Sequence, residues 1–397
     1  MSVQQISQIV RLRKRVGINA DLCSSGLNIP ALNARALASL RLLFDEEEQA
    51  FSDGADFVRG RLCRRVVSRP RSIIALLGLH FLAGRGASVP FDLRALREEA
   101  VADTTWVGSL GDLGLLMWFS AECFPESLGP LFTRFDFEHA LERYPDGAEG
   151  QTRALSWFLT GLARAHVVAN DEVPDLTDLA VDAYQRLERN RSESGLFGHL
   201  STPKSIVGMI RARCGTFEDQ IHAIYALAKF ASAFGVEEPL EAALNCANAV
   251  CAIQGDKGEW WPVYHKHTGT VVSRYPVRSA NQYGIAPLGL MAVQEATGQN
   301  FHEAILKGLR CDVGAAVAIA QSAPENLDDY AIALQSIEVG SSMGAWCEAI
   351  RRLLNAASLP VTQIARIRRE IRADHCGWTL CAFGEYGLPQ VLACHIR

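Results

Sequence analysis

The strongest constraint on the fold is the spacing of apolar residues, which recur every three to four positions along almost the whole chain. This spacing is typical of amphipathic helices, and the alternation that marks β-strands is nearly absent. Glycine, proline, asparagine and aspartate separate the periodic segments. The sequence therefore predicts an all-α fold with helical segments at 31–44, 54–68, 71–84, 92–100, 111–123, 135–143, 149–168, 175–190, 203–211, 217–234, 238–253, 281–297, 301–320, 326–338, 341–357, 360–371 and 375–384.

The loops between these helices recur as short stretches rich in glycine, acidic and aromatic residues, at 109–114, 192–199, 255–262, 325–330 and 374–379. Their intervals are uneven, which argues against an array of fixed period. The pattern favours an α/α toroid, a closed ring of helical hairpins whose loops form the mouth of a central cavity. We expect this cavity to be lined from 109–118, 195–222, 258–283 and 374–378.

The domain organisation follows from length and linkers. Rings of this kind reach 397 residues as one unit, and no Pro- or Ser-rich linker divides the chain. We therefore predict a single domain over 1–397. Residues 1–70 are more charged and lack the recurring loops, so they are a candidate N-terminal helical cap.

Composition excludes several classes of partner. With 49% hydrophobic and 21% charged residues, the chain has the balance of a globular protein. Its net charge of −5 supplies no positive field for nucleic acid. The N-terminus has no apolar signal region, and the best apolar run, 72–83, is too short to span a bilayer. These features predict a soluble, cytoplasmic protein with neither a nucleic-acid partner nor membrane insertion.

The cysteines predict neither disulfides nor a metal. Eleven cysteines are scattered along the chain, and neither CxxC nor HExxH spacing occurs. We expect no metal site and no tightly bound cofactor.

The segment 252–290 differs from the rest of the chain because it is aromatic and polar at once. Aromatic faces suit stacking on sugar rings or enclosing an isoprenoid, and the polar groups supply directed hydrogen bonds. A Thr-Gly turn at 268–269 predicts a short β-hairpin near 263–277. The alternative is a structural hairpin whose aromatics plug one end of the ring. The residues concerned are Trp260, Trp261, Tyr264, His265, His267, Tyr275, Arg278, Asn281, Gln282 and Tyr283.

Within this segment, Gln254, Gly258 and Trp260 match the Q-x(2–5)-G-x-W core of the QW repeat. This resembles the squalene and oxidosqualene cyclases, whose α/α toroid uses the motif to tie the end of one helix to the start of the next. The resemblance implies a terpenoid cyclase as one function. Such an enzyme also needs a D-x-D-D acid motif, and the nearest string, at 102–105, carries a single aspartate.

A second resemblance rests on W-W-x-x-Y at 260–264, Y-P-V-x-S-x-x-Q at 275–282 and G-W-x-L-x-A-F at 377–383. With the ring of hairpins, these stretches resemble unsaturated glucuronyl hydrolases, acylglucosamine epimerases and the C-terminal domain of glucuronyl C5-epimerases over about residues 70–390. The resemblance implies a carbohydrate-active enzyme. Asn281 stands where such a stretch is expected to carry a histidine.

Asp112 and Asp219 are the candidate general acid and base, because each begins an apolar helix after a loop of small residues. Paired carboxylates perform acid and base work on glycosidic bonds or on the C5 proton of a uronate. Both also have the spacing of a helix-capping box, with Ser109 and Thr216 as the capping residues. A capping carboxylate can still face the cavity, so both interpretations stay open.

Other candidates fill supporting roles. His265 is a candidate base or hydrogen-bonding group, and it shares a strand face with His267, to which His199 or His222 could add a proton relay or metal ligand. Tyr264 and Tyr275 act as acids or bases only if neighbouring cations lower their pKa. Arg278 is the candidate anchor for a substrate carboxylate, with an ion pair to a surface acid as the alternative. The candidate substrate-binding residues are Trp260, Trp261, Tyr275, Arg278, Asn281, Gln282, His199 and Trp378.

The sequence thus favours a cytoplasmic carbohydrate-active hydrolase, lyase or epimerase that uses acid/base chemistry on a uronic-acid or acyl-sugar substrate, small or oligomeric. A terpenoid cyclase, whose aromatics would stabilise carbocations, is the alternative. The third possibility is a non-catalytic helical scaffold.

Overall fold

The structure is a computed structural model that describes residues 29–58, 61–145, 151–274, 277–278, 280–311, 336–340, 364–368 and 370–386. Tyr275, the predicted helix over 341–357 and the N-terminal part of the predicted cap lie outside these residues. The α-helices within them are α1 Ile29–Leu43, α2 Arg69–Gly84, α3 Leu93–Ala102, α4 Leu110–Cys123, α5 Leu128–Arg134, α6 Phe137–Glu142, α7 Gln151–Val168, α8 Thr177–Glu188, α9 Ile206–Arg213, α10 Phe217–Phe234, α11 Glu238–Ala252, α12 Ala286–Thr297, α13 His302–Leu309 and α14 Ala373–Glu385.

Six of these helices form a closed inner ring. Each of α2, α4, α7, α10, α12 and α14 packs against the next, and α14 packs back on α2. The remaining long helices flank them on the outside, for example α8 on α7 and α11 on α10. Inner helices such as α4 are buried on nearly every side, because their sequences are apolar on all faces. The predicted all-α toroid is confirmed.

Glycines let neighbouring inner helices approach closely. In α4 and α7, a Cβ on Gly161 would lie 2.5 Å from the carbonyl oxygen of Gly114, and a Cβ on Gly114 would collide with the backbone of Phe158. Contacts from Gly111 to Ala154 and from Gly114 to Phe158 advance together along both helices, so the two run parallel. Parallel inner helices place their N-termini at the same end of the ring, which we call the mouth.

The opposite end of the ring, which we call the floor, is closed by a cluster of charges. Arg164 of α7 pairs with Glu122 at 2.8 Å and also with Glu385, while the Tyr225 hydroxyl donates to Glu385 across 2.8 Å. Lys229 pairs with Glu385 at 2.9 Å. The cluster therefore ties the C-terminal halves of α4, α7, α10 and α14 together.

Short strands decorate the ring: β1 Phe44–Asp45, β2 Ala50–Phe51, β3 Gly54–Val58, β4 Arg61–Arg64, β5 Cys214–Thr216, β6 Val263–His265, β7 Thr270–Ser273, β8 Val277–Arg278, β9 Ser336–Gly340, β10 Ile364–Arg368 and β11 Glu370–Arg372. The predicted hairpin near 263–277 is confirmed as β6 and β7, which pair antiparallel and add to β5. The strand β8 pairs with β9, and β9 pairs with β10.

Three helical predictions are wrong in part. Residues 54–68 contain β3 and β4 instead of a helix, 326–338 overlaps β9, and 360–371 contains β10 and part of β11. The strand β3 pairs with β11, more than 300 residues away in sequence, and Arg65 bonds Asp56 and Glu370 at 2.7 and 2.6 Å. A partner so distant leaves no local signal in the apolar spacing.

The QW-like stretch connects two outer helices. The Gln254 amide, just after α11, donates to the carbonyl oxygens of Gly258 and Ala304 at 3.2 and 3.0 Å. Gly258 has φ +91°, and a Cβ there would collide with the carbonyl of Lys307. The motif thus joins the end of α11 to α13. Among the described residues, no helix is long and apolar enough to cross a membrane.

Candidate active site

Three inner helices begin with the same arrangement at the mouth: a charged residue followed by an aromatic residue four positions later. Residues four apart lie on the same face of a helix, so each charge lies at the rim and each ring lies one turn deeper. The pairs are Arg153 and Trp157 on α7, Glu218 and His222 on α10, and Asp374 and Trp378 on α14.

His222 lies at the base of the mouth between two indoles. The indole Nε1 of Trp157 donates to Nδ1 of His222 across 3.3 Å, and the ring centroids of His222 and Trp378 are 5.2 Å apart. Burial lowers the pKa of His222 to about 4, so the imidazole is neutral at pH 7. Because Nδ1 accepts, the proton of the neutral ring is on Nε2. Among the described residues, the hydrogen bond of His222 is the one at Nδ1, and the residue is 3% exposed.

The ring axis below His222 is filled. Trp378 stacks on Trp118 with centroids 5.8 Å apart, and Trp118 lies 5.2 Å from Tyr225, which reaches the floor. Both tryptophans are buried, whereas Trp157 above them is half-buried. The site is therefore confined to the first turns of the inner helices.

Glu218 lies at the rim between two arginines. Its Oε2 is 3.1 Å from Nη1 of Arg153, and its Oε1 is 3.3 Å from Nη1 of Arg278. Burial acts to raise the pKa of Glu218, but Arg278 and Arg153 outweigh it and leave the pKa below its ordinary value. The carboxylate is thus ionised at neutral pH, and Arg278 takes the acid partner that was the alternative to its predicted anchoring role.

Asp374 provides a second ionised carboxylate at the mouth. Arg372 binds it through two nitrogens, at 3.1 and 2.8 Å, and Arg71 lies 3.7 Å away. Burial acts to raise the pKa of Asp374, but His375, Arg372 and Arg71 together hold it well below its ordinary value. Asp374 is close enough to Glu218 for its charge to oppose ionisation of Glu218. Asp374 and Glu218, on two different inner helices, are thus near each other at the mouth.

Two buried polar atoms beside these groups lack partners among the described residues. They are Oδ1 of Asn281 and Nδ1 of His375, and both side chains are at most 5% exposed. Gly284 packs against Trp378, and Asn281 precedes Gly284 as His375 precedes Trp378, so the two atoms lie on the turns nearest the mouth. Asn281 thus stays a candidate binding residue, near but below the rim.

Asp219 and His199 contact each other, and the contacts around Asp219 stabilise the start of α10. The Asp219 carboxylate accepts from the backbone and hydroxyl of Thr216, both at 2.8 Å, and lies 2.8 Å from Nδ1 of His199. This is the capping box that the sequence offered as the alternative. Asp219 is 1% exposed, so its carboxylate serves the helix start and the loop that carries His199.

Asp112 also caps its helix. Its carboxylate accepts from the Ser109 hydroxyl at 2.8 Å and from the backbone of Gly108 at 3.3 Å. It begins α4 at the mouth end of the ring, and its role as an acid or base stays a prediction.

Three predicted site residues belong to the core. Trp260 has no exposed surface and stacks on Phe217 with centroids 5.4 Å apart, so neither face is open for a sugar. Burial raises the pKa of Tyr264 well above its ordinary value, the reverse of what acid or base work needs. The Gln282 amide, oriented to satisfy both ends, donates to Gly258 and accepts from the backbone of Trp260 at 2.9 Å each. These roles correct the stacking, catalytic and binding predictions, and they match the structural plug.

The other predicted residues lie at the edge of this plug. Trp261 is 9% exposed, with the Arg274 guanidinium 5.4 Å from its ring. His265 lies on the hairpin, where its Nδ1 accepts from Thr268, and its ring is 5.9 Å from that of His267. Burial, together with His267, lowers the pKa of His265. No described contact joins His265 to Glu218.

The sequence reasoning missed Glu218, Arg153 and Trp157, and it gave His222 and Asp374 no specific role at the mouth. The available signal was the recurrence of a charge four residues before an aromatic ring at the start of three predicted helices. Within the described residues, no group of three or more histidine, cysteine, aspartate or glutamate side chains could hold a metal.

Comparison with known proteins finds solved structures that have a similar fold. No family profile matches the chain, and no curated protein matches it. Among solved structures, a sugar epimerase from a ruminal bacterium is similar over 90% of this chain and 99% of its own, with 10% identity and a TM-score of 0.56. A possible member of the GH105 family from Salmonella enterica covers 90% of this chain and 93% of its own, with 13% identity and a TM-score of 0.54.

A mutant unsaturated glucuronyl hydrolase from Streptococcus agalactiae, complexed with dGlcA-GalNAc6S, is similar over 90% of this chain and 91% of its own, with 12% identity and a TM-score of 0.51. The chain has the α/α-toroid fold. At these identities the likeness concerns the fold alone.

Proposed function

We propose that this protein is a carbohydrate-active enzyme that binds a sugar at the mouth of the toroid and acts on it by acid/base chemistry. The observation that carries the proposal is the placement of Glu218 and His222 on successive turns of α10, with Trp157 bonded to His222. An ionised carboxylate, a neutral imidazole donor and a half-buried indole thus converge on one site. That combination suits a sugar ring, which offers an apolar face and several hydroxyls.

In this proposal each group has one task. The indole of Trp157 receives the face of the sugar ring, and Nε2 of His222 donates to a hydroxyl or carbonyl oxygen. Glu218 is the base, because its carboxylate is ionised at neutral pH. Arg278 and Arg153 hold an acidic or acyl group of the substrate, as predicted for Arg278.

The protonation states favour one kind of reaction. Hydrolysis of a glycosidic bond requires a carboxylic acid that stays protonated, which demands a raised pKa. Glu218 and Asp374 both have lowered pKa values. Removal of a proton next to a carbonyl or carboxylate needs an ionised base instead, so an epimerase or lyase fits better than a hydrolase.

A non-catalytic scaffold is the second candidate, and one observation favours it. The column of Trp378, Trp118 and Tyr225 fills the ring axis, so the first turns alone leave room for a ligand. The terpenoid cyclase is disfavoured by the same column and by the arginines at the mouth, because a cyclase needs a protonated acid in a deep apolar cavity.

The test is exchange of substrate protons. The protein is incubated in D₂O with a panel of uronic acids, their oligosaccharides and N-acyl hexosamines, and NMR follows deuterium uptake and new products. We expect exchange in at least one sugar, with Glu218→Gln slowing it by about 10²-fold or more, as for loss of a general base. Glu98→Gln, on the exposed side of α3, is the matched control and should leave the rate unchanged. Exchange that survives Glu218→Gln, or no reaction with any sugar, would contradict the proposal.

A further inference from the structure

Glu218 occupies a position that suits the acidic group of a ligand. Each of its two oxygens faces a different arginine, at 3.1 Å from Arg153 and 3.3 Å from Arg278. The arginines come from separate elements, α7 and β8, and among the described residues this carboxylate is the group that contacts both. Two cations bracketing one anion is the arrangement expected for recognition of a carboxylate, here occupied by a side chain of the protein itself.

The two arginines keep unused capacity for a ligand. Each contacts Glu218 through a single nitrogen, although a guanidinium has five donors. Their side chains are 44% and 42% exposed, so solvent reaches both. The Arg153 guanidinium also lies 5.3 Å from the ring of Trp157, which places it beside the proposed sugar platform.

The two arginines that contact Glu218 carry one more charge than its carboxylate does. Arg153 and Arg278 share one carboxylate between them, whereas the nearby Arg372 has its own bidentate partner in Asp374. An incoming anion therefore balances the positive charge of the two arginines that Glu218 alone leaves unbalanced.

We propose that the acidic group of an anionic sugar displaces Glu218 from between Arg153 and Arg278, and that the released carboxylate thereby becomes a stronger base. This inference rests on the proposed function and narrows its substrate class from uronic or acyl sugars to sugars that carry an anionic group. Recognition and activation of the base thereby become one event.

The physical basis of the coupling is the loss of two stabilising partners. Burial acts to raise the pKa of Glu218, and Arg278 and Arg153 hold it down. Once both arginines face the substrate anion, burial prevails and the new negative charge adds to it, so the carboxylate binds a proton more readily. The other groups that act on Glu218 are His222 below it and, from neighbouring elements, Asp374, Arg71 and Arg372.

The deciding experiment measures binding of D-glucuronate and D-glucose by calorimetry to the wild type and to Glu218→Gln. Glutamine keeps the shape but removes the competing charge, so Glu218→Gln should bind glucuronate about tenfold tighter than the wild type does, with little change for glucose. A carboxylate that merely contacts the sugar predicts the opposite, weaker binding in the variant. Arg153→Gln and Arg278→Gln, both on exposed side chains, should each weaken glucuronate and spare glucose.

Proton uptake is the second measurement. Titrations near pH 5 in buffers of different ionisation enthalpy report protons bound with the ligand, and the wild type should take up a substantial fraction of one proton, whereas Glu218→Gln should take up none. Binding of glucuronate without proton uptake, or weaker binding by Glu218→Gln, overturns the displacement and leaves the proposed function standing. If neither sugar binds and the sugar panel also shows no reaction, the proposed function and this inference fail together.

Discussion

The indole nitrogen of Trp157 donates to Nδ1 of His222 across 3.3 Å and thereby fixes which nitrogen of the imidazole carries the proton. Their rings meet edge to face, at 84° and 5.5 Å between centroids. The indole N–H can only donate, so Nδ1 of the neutral imidazole must accept. Protonation of Nδ1 would break this hydrogen bond. The proton of the neutral ring is therefore on Nε2, the nitrogen that we propose donates to the sugar.

Replacement of Trp157 by phenylalanine should allow either nitrogen of the His222 ring to carry the proton. The variant keeps an aromatic ring but has no donor, so the Nδ1–H form of His222 becomes accessible and its pKa rises from about 4 toward the ordinary value. Nitrogen NMR of the imidazole distinguishes the two neutral forms directly. Unchanged imidazole shifts in Trp157→Phe would show that the hydrogen bond does not set the tautomer.

The buried histidines should make stability depend on pH in mildly acidic solution. In the folded chain His222 has a pKa of about 4, while an unfolded histidine titrates near 6.5, so the unfolded state binds more protons between these values. Stability is thus fully present above about pH 6.5 and falls as the pH drops toward 4, by on the order of 3 kcal/mol for this residue.

The measurement is urea unfolding at a series of pH values. His222→Asn should flatten the dependence between pH 6.5 and 4, although His375, whose pKa burial also lowers to about 4, keeps a similar contribution. His139→Asn, at a side chain of α6 that is 51% exposed, is the control and should change the slope far less than His222→Asn does. A slope that His222→Asn does not change would contradict the assignment of His222 as a buried neutral group.

The sequence predicted the features whose causes are local. The hairpin over 263–277 follows from its Thr-Gly turn, and the ring from apolar spacing in helices that are buried on most sides. The strand β3 was missed because its partner β11 is distant in the chain. Local spacing describes an element well and describes its neighbours poorly.

The choice of Asp219 over Glu218 shows the same limit inside the site. Successive residues of a helix point about 100° apart, so one of two adjacent acids faces the mouth and the other faces the loop. The capping spacing correctly explained Asp219, which bonds Thr216 and His199. At the rim Glu218 pairs with Arg278, a residue of another element. The face that an acid takes depends on the rotation of its helix within the ring, which the local pattern does not report.

The contact between α4 and α7 should tolerate no side chain at its centre. Gly114→Ala places a methyl group against the backbone of Phe158, and backbone cannot move aside as a flexible side chain can, so we expect a loss of about 2–4 kcal/mol in unfolding free energy. Gly84→Ala, at the end of α2 with nothing within 4 Å of its added Cβ, should be neutral or stabilise by about 0.5 kcal/mol. Equal stability of the two variants in urea unfolding would argue against the close helix contact.

The stability that the floor cluster contributes should depend more on Glu385 than on its other members. Glu385 accepts from Tyr225 and pairs with Arg164 and Lys229, and its side chain is 9% exposed. Glu385→Gln leaves the largely buried Arg164 guanidinium with Glu122 as its one carboxylate partner among the described residues, and a buried charge that loses such a partner costs about 3 kcal/mol of stability. Glu295→Gln removes the other carboxylate bound to Lys229, but at a side chain that is 49% exposed, so its effect should stay below about 1 kcal/mol. Comparable losses in thermal unfolding would show that the cluster is solvated like a surface, and that the floor does not lock the inner helices together.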